Sequence, residues 1–175
     1  MFYVRLLLLS LVQGCTPAWA TVTDRILFVV GERLVTVSDR EFERELARVD
    51  PGMPPPFSDP GYDLEQRLVD MAILRALAGD SAVYQPRPAD LRARWERVRD
   101  AWPGLDEYNA FLNRWGVDDE RLQAMLYSRM VVEKYVYRNV GLAVGAAGGG
   151  DEDYRAAYQA WMGDQRSRTL VRVAP

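Results

Sequence analysis

The sequence predicts a mainly helical fold with a small β element, formed by an amino-terminal hairpin and a carboxyl-terminal strand. Three observations predict it. Between residues 38 and 165, apolar side chains recur at three- and four-residue spacing in six blocks bounded by Ser, Asp, Pro and Gly. Two β-branched and aliphatic runs precede those blocks, and a third closes the chain at residues 169–173. The 155 residues that follow a leader-like segment of 20 are enough for one well-buried core.

That leader-like segment comes first. Arg5 stands near its start, residues 6–12 form an apolar run broken only by Ser10, and Pro17 precedes the small-residue pattern Ala18-Trp19-Ala20. This is a secretory signal layout, so residues 1–20 are read as an address removed from the mature protein. The apolar run is far below the roughly 18 to 20 residues needed to cross a bilayer as a helix. Val12-Gln13-Gly14-Cys15 also resembles the lipobox of bacterial lipoproteins, with Gln where a small or hydroxyl residue is usual. Two routes are therefore open: cleavage after Ala20, or lipidation at Cys15 and anchoring in the cell envelope.

The mature chain begins with Ile26–Val30 and residues 34–37, separated by Gly31-Glu32-Arg33, which reads as a hairpin. Ser38 followed by Glu41 has the form of a capping box, and Val37 with Phe42 that of a hydrophobic staple. Together they predict a helix over 39–49 with Phe42, Leu46 and Val49 on one face. Residues 50–61 hold five prolines and two glycines and must be a loop. Residues 63–79 return to helix with Leu64, Leu68, Met71, Ala72 and Leu74. This helix is apolar on more than one side, so it belongs in the middle of the fold.

Residues 89–101 carry a stripe of Leu91, Trp95 and Val98. Residues 105–115 repeat the pattern with Tyr108, Phe111, Leu112 and Trp115, and Gly116 is a helix stop. Asp118 caps a long helix reaching residue 140 through Leu122, Met125, Leu126 and Met130. Residues 141–150, with five glycines and three alanines, read as a flexible linker. A last helix over 152–165 places Tyr154, Tyr158, Trp161 and Met162 on one face before the strand at 169–173.

Composition restricts the chemistry. The chain has no histidine, and its one cysteine is Cys15, so histidine- or cysteine-based zinc sites and Ser-His or Cys-His nucleophile pairs are excluded. No disulfide is available even in an oxidising compartment. Without Arg5, 21 basic groups face 25 acidic ones, a net of -4, and no basic stripe suggests a nucleic-acid partner. The carboxylates are interspersed with arginines at helix-surface spacing, which predicts a charged solvated face. No phosphate-binding glycine motif occurs, and no cofactor is expected.

The order of elements resembles the amino-terminal region of the SurA-like periplasmic chaperones. The features that carry it are the hairpin-like start over 26–37, the capped helix at Ser38 and the apolar helix ending at 74–79. Two short helices and the long helix over 120–140 come next. Trp161-Met162, then Gln165-Arg166 and the strand at 169–173, resemble that family's closing helix and strand, which return to complete the amino-terminal module. In the family, one or two parvulin-type prolyl isomerase domains lie between the long helix and the closing helix. Here only residues 141–150 occupy that interval, too few for such a domain. The resemblance thus implies one helical domain, residues 21–140 completed by 151–175, with the terminal strand pairing to Ile26–Val30 and no isomerase.

Polypeptide binding, rather than catalysis, is the expected role. Methionine and aromatic side chains supply adaptable apolar contacts that suit unfolded, aromatic-rich outer-membrane proteins. The expected activity is that of an ATP-independent periplasmic holdase. The alternative is a non-catalytic envelope subunit docking on one fixed partner. Met53 and Phe57 on the proline-rich loop, with Trp102 and Tyr108 beside the Trp102-Pro103-Gly104 turn, are the candidate client-binding residues. Membrane contact is expected only through a lipid on Cys15.

Overall fold

The computed structural model describes residues 24–50, 57–59 and 61–173. The signal segment, Cys15 and Met53 lie outside the described residues. β1 (Ile26–Val30) and β2 (Arg33–Thr36) form the expected antiparallel hairpin, with Val29 opposite Leu34 and Val30 opposite Arg33. β3 (Val171–Val173) adds to the other edge of β1, also antiparallel, with Val30 opposite Val171. The sheet order is β2-β1-β3, so the carboxyl-terminal strand joins the amino-terminal hairpin.

β2 runs without a break into α1 (Val37–Val49). The cap is Thr36, not Ser38. Thr36 Oγ1 accepts from the Asp39 N–H at 3.2 Å, and the Asp39 carboxylate accepts from the Thr36 N–H at 3.0 Å. The Ser38 N–H donates instead to Asp24 at 3.2 Å, and Glu41 pairs with Arg40 and Arg44. The last residue of the strand is extended, as a cap requires, so the helix starts before Ser38.

α2 (Leu64–Ala78) is capped by Asp63, which accepts from the Gln66 N–H at 2.7 Å. It packs against α1, α5, α7 and β1, the central position its many-sided apolar pattern predicts. α3 (Pro88–Asp100) starts on a proline, which suits a first helical turn. α4 (Leu105–Trp115) stops at Gly116, beyond which the Val117 N–H returns to the Leu112 carbonyl at 3.0 Å. α5 (Asp119–Val136) is capped by Asp118.

The linker expected over 141–150 is mostly helical. α5 passes through a π-helical turn, Tyr137–Gly141, into α6 (Leu142–Ala146), and α7 (Asp151–Arg168) begins after a tight reversal. Val140 is buried and Val144 packs on the core, which outweighs the weak helix propensity of the glycines. The glycines serve the reversal: Gly148 has φ 72°, and a Cβ on Gly149 would lie 2.8 Å from Val144 and 3.0 Å from Asp153.

Two apolar cores result. Phe28, Val30, Val35, Phe57, Leu74, Val136 and Met162 belong to the first, between the sheet, α2 and α7. Phe42, Leu46, Val98, Phe111 and Leu126 belong to the second, among α1, α3 and α4. α5 serves both, giving Leu122 and Leu126 to one and Val132 and Val136 to the other.

Candidate functional site

Where α5 passes from one core to the other, the interior is ionic. Arg94 donates from Nε to Asp50 at 2.9 Å and from Nη1 to Glu133 at 2.7 Å, and its Nη2 reaches both carboxylates. Arg129 faces Asp50 at 3.2 Å and Glu43 at 2.5 Å. Arg67 faces Glu43 at 3.1 Å and donates to the Phe57 carbonyl at 2.8 Å. Three arginines thus meet three carboxylates with no net charge. Five of the six are buried, which corrects the expectation that these charges form a solvated face. Burial works against the Arg94 charge, but its hydrogen bonds to Glu133 and Asp50 outweigh it and its pKa is raised. Burial lowers the pKa of Arg67, with Glu43 opposing. Such a layer adds little net stability over apolar packing, yet losing one member is costly.

Beside this layer a cavity of about 210 Å³ opens between α1, α2, α5 and β2. Val35, Leu68, Met71, Ala124 and Met125 supply its apolar surface; Ser128, Arg33, Arg121, Asp39, Glu43 and Arg129 supply the polar part. A second cavity of about 360 Å³ shares Asp39, Arg121 and Met125 with it and extends to Phe42, Trp115 and Val117. The two adjoin at those residues along α1, from β2 to the end of α4, and are together called the groove. Two of its apolar lining residues, Met71 and Met125, are methionine, an unbranched side chain that adapts to differently shaped ligands.

A separate polar knot secures α7. Asp70 is fully buried and accepts from Gln66 at 2.9 Å, Tyr158 at 3.2 Å, Arg166 Nε at 2.8 Å, and Tyr62. Burial, reinforced by Asp70, pushes the Tyr62 and Tyr158 hydroxyls well above the usual phenol range. The knot ties α2 to the helix that delivers β3.

Of the four residues singled out by sequence, Met53 lies outside the described residues and the other three are divided between the two cores, Phe57 in the first and Tyr108 and Trp102 in the second. Phe57 is 1% exposed, its ring set edge-on to Tyr62 at 5.8 Å and Tyr158 at 5.2 Å in the first core. The Arg67 guanidinium donates to its carbonyl at 2.8 Å. Tyr108 is equally buried in the second core, its hydroxyl donating to Asp119 and accepting from Trp95 at 3.2 Å. It occupies the same helix face as Phe111 and Leu112, and like Phe57 it presents almost no surface. Trp102 is half-buried and stacks on Phe111 at 4.8 Å. The groove residues Met71, Met125, Arg33 and Arg121 escape sequence reasoning. Their signal is weak: Met71 and Met125 each stand one position before a buried residue, Ala72 and Leu126, at the margin of an apolar stripe.

Among the described residues, no helix is long and apolar enough to cross a membrane. No protein-family model matches this chain, and no curated protein matches it.

Proposed function

We propose that the protein is an ATP-independent holdase of the cell envelope, acting in the periplasm on unfolded exported polypeptides such as outer-membrane proteins. It acts by binding alone, in the groove lined by Met71 and Met125. The observation that carries this reading is the groove itself: open, surfaced by methionine and aliphatic side chains, and bordered by Trp115. An extended chain can lay apolar side chains there without any chemistry being done on it, and Met adapts to many sequences. The pairing of β3 with β1 supports the likeness to the SurA-like module, whose closing strand returns in that way.

The test is aggregation of a urea-unfolded outer-membrane protein diluted into buffer without nucleotide. Equimolar protein suppresses light scattering, and the double variant Met71→Gln/Met125→Gln, still folded by circular dichroism, binds about tenfold more weakly. No suppression by the parent chain contradicts the proposal. Capture of a single folded envelope protein in stoichiometric amount, with no unfolded clients, would favour a fixed assembly subunit instead.

A further inference from the structure

We infer that the groove selects extended segments in which an apolar side chain is followed closely by an acidic side chain, the carboxylate being received by Arg33 and Arg121. This rests on the holdase reading and names the class of segment bound. Charge decides it. Five charged residues line the cavity beside the ionic layer: Arg33, Arg121 and Arg129 against Asp39 and Glu43.

Three of the five are already engaged. Asp39 accepts from the Thr36 N–H at 3.0 Å and its hydroxyl at 3.1 Å, closing the α1 cap. Glu43 faces Arg67 and Arg129, and Arg129 also faces Asp50. That leaves Arg33 and Arg121, both exposed, and neither has an ion-pair partner among the described residues. Two guanidiniums without an ion-pair partner among the described residues thus border an apolar floor; the remaining carboxylate of the groove, Asp24 in the second cavity, accepts from the Ser38 N–H at 3.2 Å. A purely apolar ligand would leave both without a counter-charge, whereas a carboxylate beside an apolar side chain matches floor and rim together.

The occupant is read from its middle. Arg121 and Met125 line both cavities, so a bound chain passes Arg121 and continues toward Phe42 and Trp115 instead of ending at it. An acidic side chain within the segment fits this course better than a terminal carboxylate.

The experiment uses fluorescein-labelled twelve-residue peptides with a central Leu-Glu or Leu-Gln pair, each made as the carboxyl-terminal acid and the amide. Binding to the full chain is read by anisotropy at low and at high salt. The Leu-Glu peptide binds about two- to fivefold more tightly than Leu-Gln, whether acid or amide, and the difference shrinks at high salt. The double variant Arg33→Gln/Arg121→Gln erases the difference between the two peptides, and Arg33→Lys/Arg121→Lys keeps part of it. Equal binding of the two peptides overturns the inference while the holdase reading stands. A preference for the acid over the amide, with none for Glu over Gln, overturns it in favour of chain-end recognition. Suppression of client aggregation with no peptide binding places the client elsewhere and also overturns it; loss of both defeats the holdase reading as well.

Discussion

Replacing Asp70 by alanine tests whether the polar knot holds the closing helix. The carboxylate is fully buried and serves Gln66, Tyr158, Tyr62 and Arg166. Alanine leaves the Tyr158 hydroxyl, on a residue with no exposed surface, without its acceptor, a cost of about 1–3 kcal/mol. Arg166 loses a charge-assisted pair, but its side chain is 28% exposed and turns partly to water, so its share falls at or below the low end of about 1.5–3 kcal/mol. The sum is about 2–4 kcal/mol, reaching the range for breaking a buried pair from one side. A domain of this size holds roughly 5–15 kcal/mol in all, so the variant should unfold at a much lower urea concentration with an unchanged m value. Tryptophan fluorescence follows the transition, because Trp161 on α7 packs beside Tyr158 at 6.2 Å. Asp70→Asn keeps an acceptor oxygen and should lose less. An alanine variant within about 1 kcal/mol of the parent would refute the assignment of this knot as the anchor of α7.

Arg94→Leu removes the cation between Asp50 and Glu133, and is expected to cost about 3–5 kcal/mol by urea titration. Leu46→Ala, at a site with no exposed surface in the second core, is expected to cost about 2–5 kcal/mol in the same assay. Gly148→Ala forces a side chain onto φ 72° and is expected to destabilise the α6–α7 reversal by about 1 kcal/mol, read as a lower Tm. Stability should also fall in alkali. Burial pushes the Tyr154 hydroxyl up to about 12, so the folded protein keeps a proton that the unfolded chain releases near pH 10. That contribution is intact below about pH 10 and lost as pH rises through about 12. Tyrosinate absorbance should therefore rise together with loss of the circular dichroism signal; full ionisation with the fold intact would contradict the burial of these phenols.

Elements with strong local signals are legible in the sequence. α4 and its Gly116 stop, α2 between Asp63 and Gly79, and the hairpin around Gly31 follow from spacing and from residues with few alternatives. The start of α1 is less so, because Thr36 and Ser38 offer two overlapping capping patterns that differ only in where the strand ends, and pairing with β1 decides that. Residues 141–150 read as a linker because glycine propensity is local, whereas the packing of Val140 and Val144 is not. The buried charges are illegible for a similar reason. Glu43, Arg67, Arg94 and Arg129 each stand at ordinary surface spacing on separate helices, and only tertiary packing brings them face to face. Phe57 is legible as apolar but not as core, since an aromatic residue in a loop carries no mark of which way it points, whereas Tyr108 stands on the same helical stripe as Phe111 and Leu112. Met71 and Met125 lie 54 positions apart and become one surface only when α2 and α5 pack.

The claim that unfolded chains bind in the methionine-lined groove is tested most directly by photo-crosslinking. A benzophenone side chain is placed at Met125 in one variant and at Leu105, 65% exposed on a different helix, in another. Each is irradiated with an unfolded outer-membrane protein. Binding in the groove predicts efficient client adducts from position 125 and few from 105, with the adducts at 125 competed away by excess unlabelled client. Equal adducts at both positions, or none at 125 while aggregation is still suppressed, would contradict it.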